Sequence, residues 1–207
     1  QFFLEKRLDI RLVQNTHPYQ DVEPLWDLDG LTKYKIGQQL ASQALCNEDA
    51  DNFRLLSAQG ELPHGIPGEI RFHHLKEQAT QFAGRVNPFI QNAKKLGPQE
   101  INLDIDKWSL AGRLENLYES CLLHYRFAKV KAKDIFSSWI EHLALNALCS
   151  PGLPEQTIII GKDRTYNFKP VSEPHSLLAE IMKYLNLGLK YPLPFFPQTS
   201  YEYANKI

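Results

Sequence analysis

The sequence predicts an α/β (α+β) fold in which a mainly antiparallel or mixed sheet is flanked by helices. Two spacings of apolar residues carry that expectation. Ile36, Leu40, Ala44 and Leu45, and later Leu75, Ala79, Phe82 and Val86, recur at helical intervals. Ile101, Leu103 and Ile105 instead alternate with Asn102, Asp104 and Asp106, the period of a strand with one buried face. The third observation is bulk: 207 residues at 43% hydrophobic suffice for one sizeable core, or a core with a small appendage.

Taken in order, residues 1–13 carry Phe3, Leu4, Leu8 and Leu12 and read as the end of an element that began upstream. Residues 14–28, with Pro18 and Pro24, read as a linker, so 1–28 form a lead-in and 29–207 the folded domain. Asp29 is placed to cap a helix over about 30–46. A short helix follows with Phe53 and Leu56, ending at Gly60, a favourable residue just past a helix. Residues 60–68 hold three glycines and two prolines and read as a loop. A long helix is expected over 69–96, bent or broken at Pro88, whose ring displaces the hydrogen bond to the Gly84 carbonyl.

Beyond the strand at 101–105, Leu110 and Leu114 continue after a turn near Lys107, and Cys121, Leu123, Tyr125 and Phe127 mark a third strand. Together these predict a meander with one buried face. Asp134 is expected to cap the next helix, with Phe136, Ile140, Leu143 and Ala147 on one side and Trp139 beside them. Thr157-Ile158-Ile159-Ile160 reads as a buried strand paired with Tyr166–Phe168 through the turn 161–164. Ser172 opens a last helix through Leu187, and residues 191–203 are expected as extended chain lying over the body.

Composition narrows the function. A net charge of −1 provides no global basic field, which disfavours autonomous tight nucleic-acid binding while leaving local contact open. Cys46, Cys121 and Cys149 lack CxxC spacing and read as reduced, buried thiols of a cytoplasmic protein. No apolar run approaches the roughly 18 residues of a membrane span. Charges follow the apolar residues at the start, unlike a signal peptide. With Met182 as its only methionine, the chain reads as a segment of a longer protein.

Few motifs carry chemistry. Gly60–Gly68 lacks the GK[ST] ending of a phosphate cradle, and Gly161-Lys162-Asp163 sits in a hairpin turn. His73, His74 and Glu77 lack the HExxH order and read as solvated or partly buried side chains; a G-x-S-x-G elbow is absent. Trp139 belongs to a helix stripe, whereas Trp26 and Trp108 are the candidates for DNA or partner contact. Asp104 and Asp106 read as an exposed face.

Glu115, His124 and Arg126 are the positions of greatest interest. Strand, strand, strand, helix resembles the core of PD-(D/E)XK metal-dependent nucleases, which carry a carboxylate and then a D/E-x-K pair one strand later. Period two puts His124 and Arg126 on one strand face, as that pair requires. Magnesium takes oxygen ligands, and a permanently cationic guanidinium repels it, so Glu115 alone would hold it weakly. Without the ion, water is not acidified and hydrolysis fails. These residues are then either the vestige of a nuclease site or a solvated strand face with Glu115 beside Arg113. A live nuclease would need another carboxylate, such as Glu141.

Several stretches together resemble the C-terminal part of the RecC family, the gamma subunit of bacterial exodeoxyribonuclease V. These are Glu23-Pro24-Leu25-Trp26-Asp27-Leu28-Asp29-Gly30-Leu31 with Tyr34 and Gln38-Gln39-Leu40; Gly60-Glu61-Leu62-Pro63-His64-Gly65 with Gly68-Glu69-Ile70; and Trp139-Ile140-Glu141-His142-Leu143. The resemblance implies an inactive nuclease-like C-terminal domain following a helicase-like region. It implies a non-catalytic scaffold of the RecBCD helicase-nuclease, between RecB and RecD, that helps split duplex DNA and guide its strands in double-strand break repair by recombination. Gly112-Arg113-Leu114-Glu115 stands where an active relative has G-x-I-D, and His124-x-Arg126 where it has D-x-K. By the same resemblance, ATP and magnesium serve the other subunits, and neither a catalytic residue, a cofactor nor a metal belongs to this segment.

Overall fold

The computed structural model describes residues 27–48, 52–91 and 93–206. Helix α1 (Gly30–Leu45) begins at Asp29, whose Oδ1 accepts from the backbone N–H of Leu31 at 2.7 Å and Thr32 at 2.8 Å, as the sequence predicts. Its first turn is also tied back through Asp27, which bridges Lys33 at 3.1 Å and Arg71 at 3.2 Å. Leu28 is buried with the helices, so packing extends to this residue. Residues 1–26, including Trp26, lie outside the described residues.

Helix α2 (Phe53–Ala58) ends before Gly60, which takes the positive φ of 72° that only glycine adopts cheaply. Helix α3 (Ile66–Ile90) differs from the expected 69–96 at both ends. It starts earlier because Pro67, read as a loop residue, is tolerated in a first helical turn where its missing N–H has no partner to lose. Gly68 is part of that change: a Cβ there would lie 1.9 Å from the Pro63 carbonyl oxygen, so the loop can fold against the helix only at a glycine. Pro88 stays within the helix, which stops two residues later.

Strands β1 (Gln99–Ile105) and β2 (Trp108–Leu114) form an antiparallel hairpin in register Ile105↔Trp108 to Gln99↔Leu114. Asp106, at φ 53°, and Lys107 make its two-residue turn. Ile101, Leu103 and Ile105 are buried, and Asp104 and Asp106 are exposed.

The predicted meander is not formed. Strand β3 (Leu122–Tyr125) leaves the hairpin and pairs in parallel with β4 (Thr157–Ile160), which pairs antiparallel with β5 (Thr165–Phe168). The crossover from β3 to β4 is helix α4 (Ala132–Leu148). A strand covered on both faces reads as a continuous apolar run, and Leu122-Leu123 is one. Leu123 faces a core shared with Phe72, Phe82 and Phe127, whereas Leu122 faces a second core with Leu114, Leu143 and Leu145. Helices α1 and α3 therefore cover one side of the three-stranded sheet. Helix α4 and the β1–β2 hairpin cover the other.

Four further expectations are corrected. Asp134 is the third residue of α4 and not its cap; its Oδ2 accepts from the Lys131 N–H at 2.9 Å, which closes the first turn from inside the helix. The last long helix, α5 (Pro174–Lys190), starts at Pro174, whose fixed φ suits a first position, and so leaves Ser172 outside. The tail is not wholly extended, since Pro197–Ala204 form helix α6, touching β5 where the Tyr201 and Tyr166 hydroxyls lie 3.5 Å apart. Of the cysteines, only Cys121 is buried; Cys46 and Cys149 are exposed at helix ends, where little apolar surface faces them.

Candidate functional site

The carboxyl ends of parallel strands are where ligands bind in open α/β sheets, because the loops there diverge and leave a crevice. A cavity of about 270 Å³ occupies that position above β3 and β4. His124, Tyr125 and Arg126 reach it from the end of β3, Asp134 and Glu141 from α4, and Gly161 from the end of β4.

His124 is the most constrained of these. Its Nε2 is shielded from solvent without a hydrogen-bond partner, and the Glu141 Oε2 lies 3.5 Å away. Burial pulls its pKa below the ordinary 6.5, against the opposing attraction of Glu141, so the ring is neutral at pH 7. Arg126 is turned toward α1. Its guanidinium lies over the Tyr34 ring at 5.5 Å, its Nε donates to the Tyr34 hydroxyl at 3.4 Å, and Asp134 is 4.0 Å away.

The structure thus brings His124 and Arg126 together with Glu141, but Glu115 does not line the cavity. Glu115 is exposed just beyond β2, with Arg113 at 3.8 Å. Asp134 and Glu141 are seven residues apart on one helix, a rise of about 10.5 Å, so they cannot share one ion. Among the described residues there is no group of three His, Cys, Asp or Glu side chains placed to hold a metal. His73 instead faces Glu69 at 3.9 Å, and His74 contacts Gln78 at 2.8 Å. Trp108 is 39% exposed at the turn of the hairpin, away from the cavity lining.

What positions Glu141 was not legible as a function of its neighbour. His142 is fully buried, with Nδ1 2.9 Å from Thr157 Oγ1 and Nε2 3.0 Å from the Lys169 carbonyl. A carbonyl only accepts, so Nε2 carries the proton and Nδ1 receives the threonine hydroxyl. Trp139 stacks on the imidazole at 5.3 Å. This knot fastens α4 to β4 and to the chain after β5, and so sets which side of α4 presents Glu141 to the cavity. The sequence signal was a histidine following an expected helix stripe, which periodicity alone cannot distinguish from a surface residue.

A family model described as the RecC C-terminal domain matches residues 1–207. The chain belongs to the RecC C-terminal domain family. It is 28% identical over 200 residues to the RecBCD enzyme subunit RecC of Escherichia coli (strain K12), covering 95% of this chain and 17% of that relative. It is 26% identical over 212 residues to the same subunit of Mycolicibacterium smegmatis, covering 96% of this chain and 19% of the relative. For Buchnera aphidicola from Acyrthosiphon pisum the identity is 25% over 197 residues, with 93% and 18% covered. The chain therefore spans less than a fifth of the length of these relatives. No described helix is long and apolar enough to cross a membrane.

Proposed function

We propose that residues 29–207 are an inactive PD-(D/E)XK nuclease-like domain that serves as a scaffold in the RecBCD helicase-nuclease. In that role it helps subunit assembly, duplex splitting and strand guidance during double-strand break repair in the cytoplasm. Its partners are RecB, RecD, the duplex DNA end and its unwound strands. ATP and magnesium act on the other subunits, and this domain takes no cofactor of its own.

The observation that carries the reading is the His124–Arg126 pair at the end of β3, beside two α4 carboxylates, Asp134 and Glu141, that stand too far apart to share an ion. A working phosphodiesterase places anions there to hold a divalent ion. Here a neutral imidazole and a guanidinium committed to Tyr34 supply neither the charge nor the oxygens. The β3–α4–β4 crossover, with its cavity at the strand ends, supports the nuclease-like ancestry of the framework.

The test is cleavage of linear DNA by the purified domain in magnesium or manganese. The expected result is no metal-dependent product. Cleavage that disappears in Glu141→Ala or Glu115→Ala would overturn the scaffold reading in favour of a live nuclease.

A further inference from the structure

The two loops that rim the cavity are stitched together and carry cations that no described residue neutralises. The Lys162 N–H donates to the Ala128 carbonyl at 2.8 Å. Arg85 reaches from α3, its Nη2 donating to the carbonyls of Gly161 at 3.0 Å and Lys162 at 2.8 Å. Gly161 fits only because it lacks a side chain, since a Cβ would lie 2.3 Å from Val130 Cγ2. The rim is therefore a built frame and not a pair of loose loops.

On that frame Lys129 is exposed and lines the cavity, while Lys162 is half-buried with its ammonium 5.0 Å from the centre of the Phe127 ring. Neither lysine forms an ion pair with a described residue. Burial, and then the charge of Lys129, hold the pKa of Lys162 below its ordinary value, so the two ammonium groups feel one another. Asp163 stands on the same rim, its Oδ1 accepting from the Val130 N–H at 3.1 Å, and forms an ion pair with neither lysine. Tyr125 is 39% exposed and lines the same cavity as Lys129.

We propose that this rim binds single-stranded nucleic acid, with Lys129 and Lys162 on backbone phosphates and the Tyr125 ring stacked on a base. Cations next to an accessible aromatic face are the combination that single strands use. A duplex does not fit, because its bases are stacked together and cannot enter a recess to meet Tyr125. The proposal rests on the strand-guiding reading above and gives it a location.

The test uses the full-length subunit with a labelled oligo(dT), measuring affinity across a salt series. In Lys129→Gln/Lys162→Gln, two lost phosphate contacts should make the slope of log affinity against log salt shallower by about 1.4. Tyr125→Leu should weaken binding by roughly 5- to 150-fold, the worth of one stacked base, without changing the slope. An unchanged slope and affinity in all variants, with the assembled complex still engaging DNA ends, would overturn this site and leave the scaffold reading standing. Displacement of the oligonucleotide by inorganic phosphate at constant ionic strength, with Tyr125→Leu binding normally, would overturn the strand in favour of a simple anion. Metal-dependent cleavage is the separate result that would sink the scaffold itself.

Discussion

Thr157→Val tests the polar knot that holds α4 in place. Valine keeps the branched shape but removes the hydroxyl that donates to His142 Nδ1 across 2.9 Å. Both residues are 0% exposed, so water cannot replace the lost donor, and the Asn146 Nδ2 at 3.5 Å from Nδ1 already donates to the carbonyls of His142 and Glu155. A buried acceptor left unsatisfied costs about 1–3 kcal/mol, which for a domain of this size lowers the melting temperature by roughly 2–12 °C. Urea unfolding monitored by Trp139 fluorescence measures it. Because the penalty lies in the orphaned nitrogen, adding His142→Leu should cost less than the sum of the two single changes. A loss below about 0.5 kcal/mol, or strictly additive single variants, would refute the assigned tautomer and the role given to the knot.

Four further outcomes follow from the same geometry. Burial depresses the pKa of His142 more than its bond to the Lys169 carbonyl raises it, and His124 is depressed likewise. Each imidazole stays neutral in the folded chain while its unfolded counterpart protonates below the ordinary 6.5. Stability is then fully present above that pH and falls as pH drops toward the folded values, by about 1.4 kcal/mol per pH unit for each group. His142→Gln should remove one share of that slope in unfolding curves between pH 7 and pH 5. NMR titration of Glu141→Gln should show the His124 pKa falling further, since the carboxylate is the group that raises it. Gly68→Ala should destabilise by about 1–3 kcal/mol in urea, because its methyl meets backbone rather than a movable side chain. Finally, a thiol reagent should modify Cys46 and Cys149 quickly in the native chain and Cys121 only on unfolding, as Cys121 is buried and its pKa raised by burial.

Local signals placed most of the elements. Asp29 capped α1 because a carboxylate with two free backbone donors ahead of it needs no tertiary help. The β1–β2 hairpin followed from strict alternation and a short turn. Boundaries failed where one residue type serves two settings: Pro67 is common to loops and to first helical turns, and only the packing of Gly68 on Pro63 decides between them. The cysteines were misjudged for a related reason, since preference for burial is a tendency of the residue and exposure belongs to its neighbours.

The candidate site was legible in part. Period two singled out His124 and Arg126 and their chemistry argued against a bound magnesium ion, but Arg126 lies one residue beyond β3 and turns to Tyr34. That His124 meets Glu141 and Arg126 meets Asp134, and neither meets Glu115, depended on β3 leaving the hairpin to lie parallel to β4. By itself the amino-acid order determined the helical and extended segments, the absence of a carboxylate at position 124 and the familial resemblance. Tertiary structure alone decided the strand pairing, the burial of His142 and the stitching of the Lys162 N–H to the Ala128 carbonyl. The physical reason is range: caps and alternation act within a few residues, whereas strand partners and paired charges are chosen by which distant surfaces must leave water together.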